Sequence, residues 1–526
     1  MSASPSRPAR AGQVARAAGT VMILFVASRL AGLAREIVIG ARFGTGAELD
    51  AYLAAFRLPD LLFQLLAGGA LASAFLPTFS GYLAHDDRAG ADHLASAVIN
   101  LLLLTLAALA GLAALLAPFL VRTVIAPGFS PEQQALTAGL MRGMLLSTIA
   151  FGVSGVVMAM LNAHQHFLLP ALAPVIYNLA IIAGAWFLAP RWGVRGLVMG
   201  VVAGAAGHLL VQTPELARRG WRWSPVLGWR EAGVREVGRL MAPRVVGLAA
   251  VQLNFLVNTI LASGLAPGSL AALNYAWLLM LLPQGIVAQA IATAAFPTFA
   301  TQAARGQRAE LRATLSSTLR SIAFLAIPAS VGLIVLREPL IRLLLQRGAF
   351  DERSTAAVAY ALTFYALGLV AHSVVEVVAR AFYALHDTRT PVVVGLVAML
   401  GNVLLSLLLI GPLSFGGLAL ANTLATTGEV VALLRLAHRR LGGLEGPRLR
   451  ATAFRSLLAS GAMALALGGW VRQMGGGSAW IVGGGGLALG ALVYGGVAFV
   501  VGAEELGEAT RLVRRRGPAS PSGPSA

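Results

Sequence analysis

The chain has 526 residues, of which 57% are hydrophobic and only 12% are charged, and its mean hydropathy is +0.77. A water-soluble protein of this length could not bury so much apolar surface, so the composition indicates an all-α polytopic membrane protein. The absence of cysteine excludes disulfides, thiolate metal sites and cysteine nucleophiles. The net charge of +18 comes from basic residues between apolar segments, which is typical of membrane topology signals and not of nucleic-acid binding.

Apolar segments of about twenty residues predict about fourteen transmembrane helices. The second, eighth and tenth segments are longer than one span needs, and Pro59, Pro77, Pro283 and Pro297 are the candidate break points. The predicted spans are 19–43, 50–82, 94–122, 133–161, 170–189, 195–216, 237–264, 270–300, 314–336, 355–385, 391–411, 416–437, 452–470 and 479–502.

The distribution of arginine predicts the topology. Basic residues are concentrated in the loops around 217–239, 301–312 and 435–455, whereas the loops at 265–269 and 411–415 contain no Lys or Arg. The loop at 337–353 is an exception, because its arginines are accompanied by acidic residues. The positive-inside rule therefore predicts that both termini are cytoplasmic and that the number of spans is even. The first apolar segment lacks a cleavage site and is interpreted as a retained helix.

An internal repeat relates the first six spans to the next six. Residues 74–79 resemble 295–299, and Pro127-Gly128-Phe129 resembles Gly348-Ala349-Phe350 at nearly the same offset. We therefore predict two six-helix repeats, spans 1–6 and 7–12, around a central cavity, with spans 13 and 14 as an added pair. The predicted parts are a cytoplasmic N-terminal segment (1–18), an N-terminal half (19–216), a basic cytoplasmic linker (217–236), a C-terminal half (237–440), spans 13–14 (441–503) and a disordered cytoplasmic tail (504–526).

The first span carries charges at membrane depth. On a helical wheel, its polar residues and one glycine share an arc of about 120°. A charge at the bilayer centre costs several kcal/mol, so such residues face a protein interior or a water-filled cavity. We interpret the arc as the lining of a cationic cavity, and an Arg–Glu pair that only joins helices is the alternative. The arc contains Ser28, Gly32, Arg29, Arg35 and Glu36.

Polar residues in later spans are further candidates. His372, Glu376 and Arg380 lie on one face of the tenth span. They would form a charge-compensated relay or an additional cationic contact, or else a self-neutralised structural pair. The stretch 221–229, with three tryptophans and neighbouring arginines, predicts an interfacial helix or loop anchored in anionic lipid.

Several motifs together resemble one family. The segment 28–36, Ser-Arg-Leu-Ala-Gly-Leu-Ala-Arg-Glu, is followed by related motifs over nearly the whole chain. These resemble the MurJ (MviN) lipid II flippases of bacteria, within the multidrug/oligosaccharidyl-lipid/polysaccharide exporter superfamily. The further motifs are 43–46, 50–52, 55–62, 74–77, 126–129 and the Pro170, Pro174 and Asn178 segment.

The resemblance implies a flippase, not an enzyme. Such a protein moves undecaprenyl-pyrophosphate-linked disaccharide pentapeptide from the inner to the outer leaflet of the bacterial cytoplasmic membrane by alternating access. It implies that Arg29 and Arg35 contact phosphate, that Asp50 is the family's acidic residue in span 2, and that Arg57 occupies a basic position. The expected cavity residues are therefore Ser28, Arg29, Arg35, Glu36, Asp50, Arg57 and Asp60.

The sequence departs from the family pattern at several positions. Phe63 and Gln64 stand where arginines are usual, and Gly68 stands where a glutamate is usual. In the eighth span, Leu278 lies where the family has an arginine that would face the pyrophosphate from the other half. The expected cationic clamp is thus reduced to one half, and the exact lipid-linked substrate is left open.

The resemblance also implies a place for a coupling ion, since some family members bind Na⁺ in the second half. The oxygens there suit a hard cation, but aspartate is missing at the expected places, and interhelical hydrogen bonding is the alternative interpretation. The residues concerned are Asn254, Asn258, Asn402, Ser406 and Asn422.

The expected driving force is the membrane potential or a Na⁺ or H⁺ gradient, and no metal or other cofactor is expected. The expected partners are the lipid-linked pyrophosphate, membrane lipids and the cell-wall synthesis machinery, without nucleic acid. The alternative functions are export of another lipid-linked oligosaccharide, cation-coupled export of small molecules, and a scaffold that does not transport.

Overall fold

The structure is a computed structural model that describes residues 9–503 and residue 505. All regular elements of these residues are helical, which confirms the predicted fold class. The α-helices are α1 Ala9–Phe43, α2 Ala47–Leu66, α3 Gly69–Ala84, α4 Arg88–Leu115, α5 Ala117–Leu120, α6 Pro131–Ala163, α7 Leu168–Ala183, α8 Ala189–Trp192, α9 Val194–Leu210, α10 Thr213–Arg218, α11 Ala232–Ser263, α12 Ser269–Gln284, α13 Ala290–Ala304, α14 Arg308–Val335, α15 Arg337–Leu344, α16 Glu352–Ala384, α17 Arg389–Leu441, α18 Gly446–Met474 and α19 Gly485–Val500.

Each predicted span lies on helical structure, and four π-helical segments continue the α-helices, at Val121–Ile125, Gly184–Leu188, Gly285–Gln289 and Trp480–Gly484. Ten helices of the described chain are long and apolar enough to cross a membrane. The longest, α17, contains both predicted spans 11 and 12 and bends at Ser414, whose φ is 50° and ψ is −137°. Most of the predicted tail lies outside the described residues.

Both predicted break points of the second span are wrong. The second span is interrupted at Ala67–Gly68, between α2 and α3, whereas Pro59 and Pro77 lie inside continuous helices. A proline is tolerated in a membrane helix when neighbouring groups satisfy the carbonyl that its missing N–H leaves unpaired. The Thr148 hydroxyl donates to the Pro59 carbonyl itself at 3.3 Å, which joins α6 to α2. The Gly68-Gly69 pair, by contrast, combines two residues of low helix propensity.

In the eighth span the helix changes from α-helical to π-helical just after a proline. α12 contains Pro283 and ends at Gln284, and the π-helical segment follows directly. Pro297 lies inside α13 without interrupting it, so this predicted break point is also wrong. The local change after Pro283 fits the loss of a backbone donor at that residue.

The predicted interfacial stretch 221–229 is a loop without regular structure. Asn100 on α4 holds it, because its side-chain amide donates to the carbonyls of Ser224 and Val226, both at 2.8 Å. The indole N–H of Trp223 donates in turn to Asn100 Oδ1 at 2.9 Å. Trp223 and Trp229 are 57% and 60% exposed, which leaves their rings available to the membrane interface.

The described residues divide into two compact units. The first contains the described residues up to Ala271 together with Arg347–Ser354, and the second contains Ala272–Gln346 together with the described residues from Thr355 onward. In the first unit, α6 packs against α2, α4 and α9, and α1 packs against α7. In the second unit, α14 packs against α13 and α18, and α18 packs against α19. α11 belongs to the first unit, and the predicted division of the chain at 217–236 stays a prediction.

Within the first unit, two loops dock on helix ends in a matched way. The backbone N–H of Gly128 donates to the Ser263 hydroxyl at the end of α11 at 3.1 Å. The backbone N–H of Ala349 donates to the Ala41 carbonyl near the end of α1 at 2.8 Å. These are the two loops whose sequences match in the internal repeat, and each contacts the first helix of the other repeat. We name them the reciprocal loops, 127–129 and 348–350.

Glycine is required in both reciprocal loops. A Cβ atom on Gly128 would lie 2.5 Å from the Gly264 Cα atom, far inside van der Waals contact. Gly348 has φ +58°, and a Cβ atom there would overlap the Ala41 carbonyl oxygen. The close backbone approach therefore depends on the missing side chains.

We predict that Gly348→Ala lowers the unfolding temperature of the detergent-solubilised protein more than Gly306→Ala does. Gly306 has φ +69° and open space around it, so alanine there costs only the left-handed conformation, about 1–2 kcal/mol. Gly348→Ala adds the overlap with Ala41. Thermal unfolding measures both variants, and equal midpoints would show that the 348–350 loop is not tightly docked.

Candidate functional site

Arg35 on α1 is held by two neighbours. Its Nη2 and Nε atoms donate to Glu36 Oε1 at 2.5 Å and 3.2 Å. Its Nη1 atom donates to Asn178 Oδ1 on α7 at 3.1 Å. The Asn178 amide also reaches the Ser28 carbonyl at 3.5 Å, and Gly32 lies beside it. Arg35 therefore joins α1 to α7, and Glu36 is its acceptor on the same helix. The expected role of this arc as a cavity lining stays a prediction.

Arg29 lies in a different environment from Arg35. It is exposed, and its guanidinium carbon lies 5.4 Å from the centre of the Phe25 ring, which is itself 60% exposed. The charges of the first span thus divide, with Arg35 packed against a neighbouring helix and Arg29 on an open face. Arg29 is the better placed of the two to meet a ligand without first exchanging a protein partner.

Arg57 and Asp60 on α2 meet α11. Arg57 Nε donates to the Thr259 hydroxyl at 2.7 Å, and its guanidinium carbon lies 5.6 Å from the centre of the Phe255 ring. The Gln252 amide donates to Asp60 Oδ2 at 3.4 Å. Arg57 and Asp60 therefore each have a polar contact on one face of α11.

Asp50 does not face an open cavity. It is 2% exposed, and its two carboxylate oxygens accept the backbone N–H groups of Gly268 at 2.6 Å and Ala271 at 2.8 Å. These N–H groups belong to the turn that starts α12, where unpaired donors favour a carboxylate. The structure thus gives Asp50 a capping contact, while its expected contact with a ligand stays a prediction.

The second unit separates the three candidates of the tenth span. His372 is hydrogen-bonded to Asn422 Oδ1 at 3.0 Å and lies edge-on to the Trp277 ring. Arg380 Nη1 donates to Glu376 Oε2 at 2.7 Å. The Glu376–Arg380 pair lines a cavity of about 370 Å³, together with Phe296, Val375, Ala379 and Tyr383.

The expected ion-binding residues fall in both units. Asn254 and Asn258 lie on α11 of the first unit, and the Asn258 side-chain oxygen is buried without a hydrogen-bond partner among the described residues. Asn402 and Ser406 lie on α17 of the second unit and are 1% and 0% exposed. Asn422, also in the second unit, pairs with His372. An ion site composed of these residues stays a prediction.

Aromatic and apolar packing replaces the missing arginines. Phe63 packs against Phe151, with ring centres 5.4 Å apart, in the core of the first unit. In the second unit, Trp277 beside Leu278 packs edge-on against Tyr365 at 5.2 Å. Phe63 therefore contributes aromatic packing where the resemblance implies an arginine, and Trp277 packs directly beside the second such position, Leu278.

Two residues of these contacts were absent from the expected site. Asn178 had been recognised only as part of a family motif, although a buried amide at membrane depth signals an interhelical partner. Thr259 was missed because threonine alone is a weak signal. Its spacing of seven residues from Gln252, with Phe255 between them, places all three on one face of α11 and could have revealed the contact.

Comparison with known proteins identifies the family. The family model described as lipid II flippase MurJ matches residues 39–482. The chain belongs to the MurJ family. A probable lipid II flippase MurJ of Rhizobium tropici is 32% identical over 527 residues, covering 94% of this chain and 96% of the relative. A lipid II flippase MurJ of Burkholderia cenocepacia is 31% identical and covers 77% of this chain and 80% of the relative.

Solved structures support the fold. A MurJ lipid II flippase in an inward closed conformation has a TM-score of 0.78 and 24% identity, and the match covers 94% of this chain and 99% of that one. An inward-facing multidrug resistance MATE transporter has a TM-score of 0.67 and 15% identity, covering 79% of this chain and 94% of that one. The chain of this MurJ family member is a multi-pass membrane protein with a transporter fold.

We predict that Asp50→Asn destabilises the protein by about 2 kcal/mol, because an amide presents an N–H group where a backbone N–H needs an acceptor. Asp86→Asn is the control, since Asp86 is exposed and its φ of 55° suits asparagine. Thermal unfolding in detergent measures both variants. An equal stability of the two variants would contradict the capping role of Asp50.

Proposed function

We propose that this protein is a flippase that translocates lipid II, an undecaprenyl-pyrophosphate-linked disaccharide pentapeptide, from the inner to the outer leaflet. The observation that carries the proposal is the presence of Arg29 and Arg35 on α1 and Arg57 on α2, in a chain of the MurJ family. Guanidinium groups match phosphate oxygens and keep their charge at any relevant pH. The protein performs no chemistry on its substrate in this proposal.

The three arginines would act differently. Arg29 is exposed and would meet the pyrophosphate first. Arg35 shares its charge with Glu36, so phosphate would have to compete with that carboxylate. Arg57 is oriented by Thr259. A pyrophosphate therefore would gain one open cationic contact and two that protein partners hold in place.

The second unit contains a cavity suited to a hydrocarbon chain. Its volume is about 480 Å³, and its lining is formed mainly by leucine, glycine, alanine and proline residues of α12, α14, α15, α18 and α19. The Tyr494 hydroxyl at its wall is already used, because it donates to the Phe324 carbonyl at 2.6 Å. Part of the undecaprenyl tail would fit there, since an apolar chain has no polar group to desolvate.

The smaller cavity beside Glu376 and Arg380 would hold a second polar part of the substrate. Arg380 donates through Nη1 to Glu376, and a phosphate or sugar hydroxyl would bind beside this pair. Such a contact would partly replace the arginine that the family pattern has at the position of Leu278. The relay interpretation, with His372 as a third member, is weaker, because His372 pairs with Asn422 instead.

Alternating access by rocking of the two repeats would move the head group across the membrane. The driving force would be the membrane potential or a Na⁺ or H⁺ gradient. We place both termini in the cytoplasm and the chain in the bacterial cytoplasmic membrane, and the cell-wall synthesis machinery would consume the exported lipid. A related exporter of another lipid-linked oligosaccharide is the second candidate, since substitutions at Phe63, Gln64 and Leu278 alter the expected clamp.

We predict that Arg29→Ala or Arg35→Ala abolishes complementation of a strain depleted of its own lipid II flippase, because each change removes a phosphate contact. Arg122→Ala is the control, since Arg122 is exposed at a helix end distant in sequence from the cluster. Growth under depletion is measured, with membrane levels of each variant verified by immunoblot. Normal growth with both arginines changed would overturn the proposal.

We predict that Gly332→Leu slows lipid II flipping severalfold, because the new side chain enters the apolar cavity. Among the described residues, the nearest atom to a Cβ atom at this position is the Met463 methyl carbon, at 4.0 Å, so the first atom of the new side chain is accommodated and the rest extends into the cavity that Gly332 lines. Gly461→Leu is the control, since it lies on α18 with open space around it. Flipping in proteoliposomes is measured, and equal rates for the two variants would exclude the cavity from transport.

A further inference from the structure

The seam between α2 and α11 is a line of matched polar contacts. Asp60 meets Gln252, and Arg57 meets Phe255 and Thr259. The numbers fall along α2 as they rise along α11, as expected of antiparallel helices. On α11, Phe255 and Thr259 lie three and seven residues after Gln252, so the three residues form one stripe of that helix.

Within this seam, the contact between Arg57 and Thr259 has a fixed polarity. The Thr259 hydroxyl donates its own proton to the Phe255 carbonyl at 2.9 Å. Its oxygen lone pairs are therefore the part that faces Arg57 Nε, which donates to them at 2.7 Å. Thr259 is 0% exposed, so water does not compete for this hydrogen bond.

Two contacts together restrict the guanidinium group. The hydrogen bond fixes the Nε edge, and the Phe255 ring at 5.6 Å lies against the guanidinium face. A long arginine side chain otherwise has many rotamers, and ordering it on binding costs affinity. The threonine hydroxyl is neutral, so it orients the group without neutralising its charge, whereas Glu36 forms an ion pair with Arg35. The nearby carboxylate of Asp60, on α2 itself, interacts with the Arg57 charge electrostatically.

We propose that Thr259 is the positioning residue for Arg57, which it holds in the orientation that receives a phosphate of the substrate. This inference rests on the proposed function, because it assigns Arg57 a phosphate contact. It adds that a hydroxyl in span 7 determines how strongly Arg57 in span 2 binds phosphate. Thr259 does not touch the substrate itself.

The test is Thr259→Val, which keeps the shape of the side chain and removes the hydroxyl. In nanodiscs, with purified lipid II as the probe, its dissociation constant is expected to rise about tenfold, the loss expected for one hydrogen bond to a charged group. Thr259→Ser retains the hydroxyl and is expected to restore binding to within about twofold of wild type.

The matched control is Thr148→Val. Thr148 is also buried and also donates to α2, but its acceptor is the Pro59 carbonyl and not a group that Arg57 contacts. It is expected to lose comparable stability and to leave the dissociation constant unchanged. Equal weakening by both valine variants would reduce Thr259 to a structural residue.

A double-mutant cycle separates positioning from packing. Lysine has no Nε edge with this geometry, so Thr259→Val is expected to have no further effect on lipid II binding in the R57K background. An additive effect would overturn the inference, because it would show that Thr259 acts without Arg57.

A second readout does not depend on the ligand. Phenylglyoxal modifies accessible guanidinium groups, and mass spectrometry of the peptide that contains Arg57 gives the rate. Thr259→Val is expected to raise this rate severalfold, whereas Thr148→Val leaves it unchanged. An unchanged rate in Thr259→Val would overturn the inference. If the modification rates are as expected but the wild-type protein does not bind lipid II, the proposed function is overturned and the positioning role of Thr259 is not.

Discussion

A charged side chain within a membrane needs a polar partner, and much of the first unit is arranged around this requirement. Arg35 donates a hydrogen bond to Asn178, and Arg57 donates one to Thr259. Asp50 accepts hydrogen bonds from the backbone N–H groups of Gly268 and Ala271. Each partner lies more than a hundred residues away in the sequence. Because apolar helices gain little by meeting one another in lipid, such polar contacts decide which helices become neighbours.

The sequence was most informative where a signal is continuous. Apolar segments of about twenty residues predicted the helices, and the charged arc of α1 predicted that Arg35 and Glu36 share a face with Gly32. The break in the second span was predicted less well, because proline does not interrupt a membrane helix whose neighbours satisfy its backbone. The break occurs at Gly68 instead.

The partners of the charges could not be predicted, because they depend on contacts distant in sequence. A buried aspartate such as Asp50 looks the same in sequence whether it meets a ligand or a helix N-terminus. Arg29 and Arg35 lie at the two edges of one polar arc, about 120° apart on a helical wheel, and one is exposed whereas the other is paired. The wheel does not show which edge faces a neighbouring helix, and the position of α7 decides it.

The two units differ in the kind of surface they offer. The first contains the arginines of α1 and α2, and the second contains the apolar cavity and the smaller cavity lined by the Glu376–Arg380 pair. Trp277 packs against Tyr365 in the second unit, next to Leu278, where the resemblance implies an arginine. This division matches a ligand with one anionic end and one hydrocarbon end, because the first needs cationic groups and the second needs an apolar environment.

The reciprocal loops have the pattern of an isologous interface, in which the same patch is used twice. In a symmetric dimer, residue i of one subunit contacts residue j of the other, and j contacts i. Here the 127–129 loop reaches the end of α11, and the 348–350 loop reaches the end of α1. A half-length protein with one such loop would leave its helix end uncovered unless it paired with a second copy. The duplicated chain therefore carries its own dimer partner.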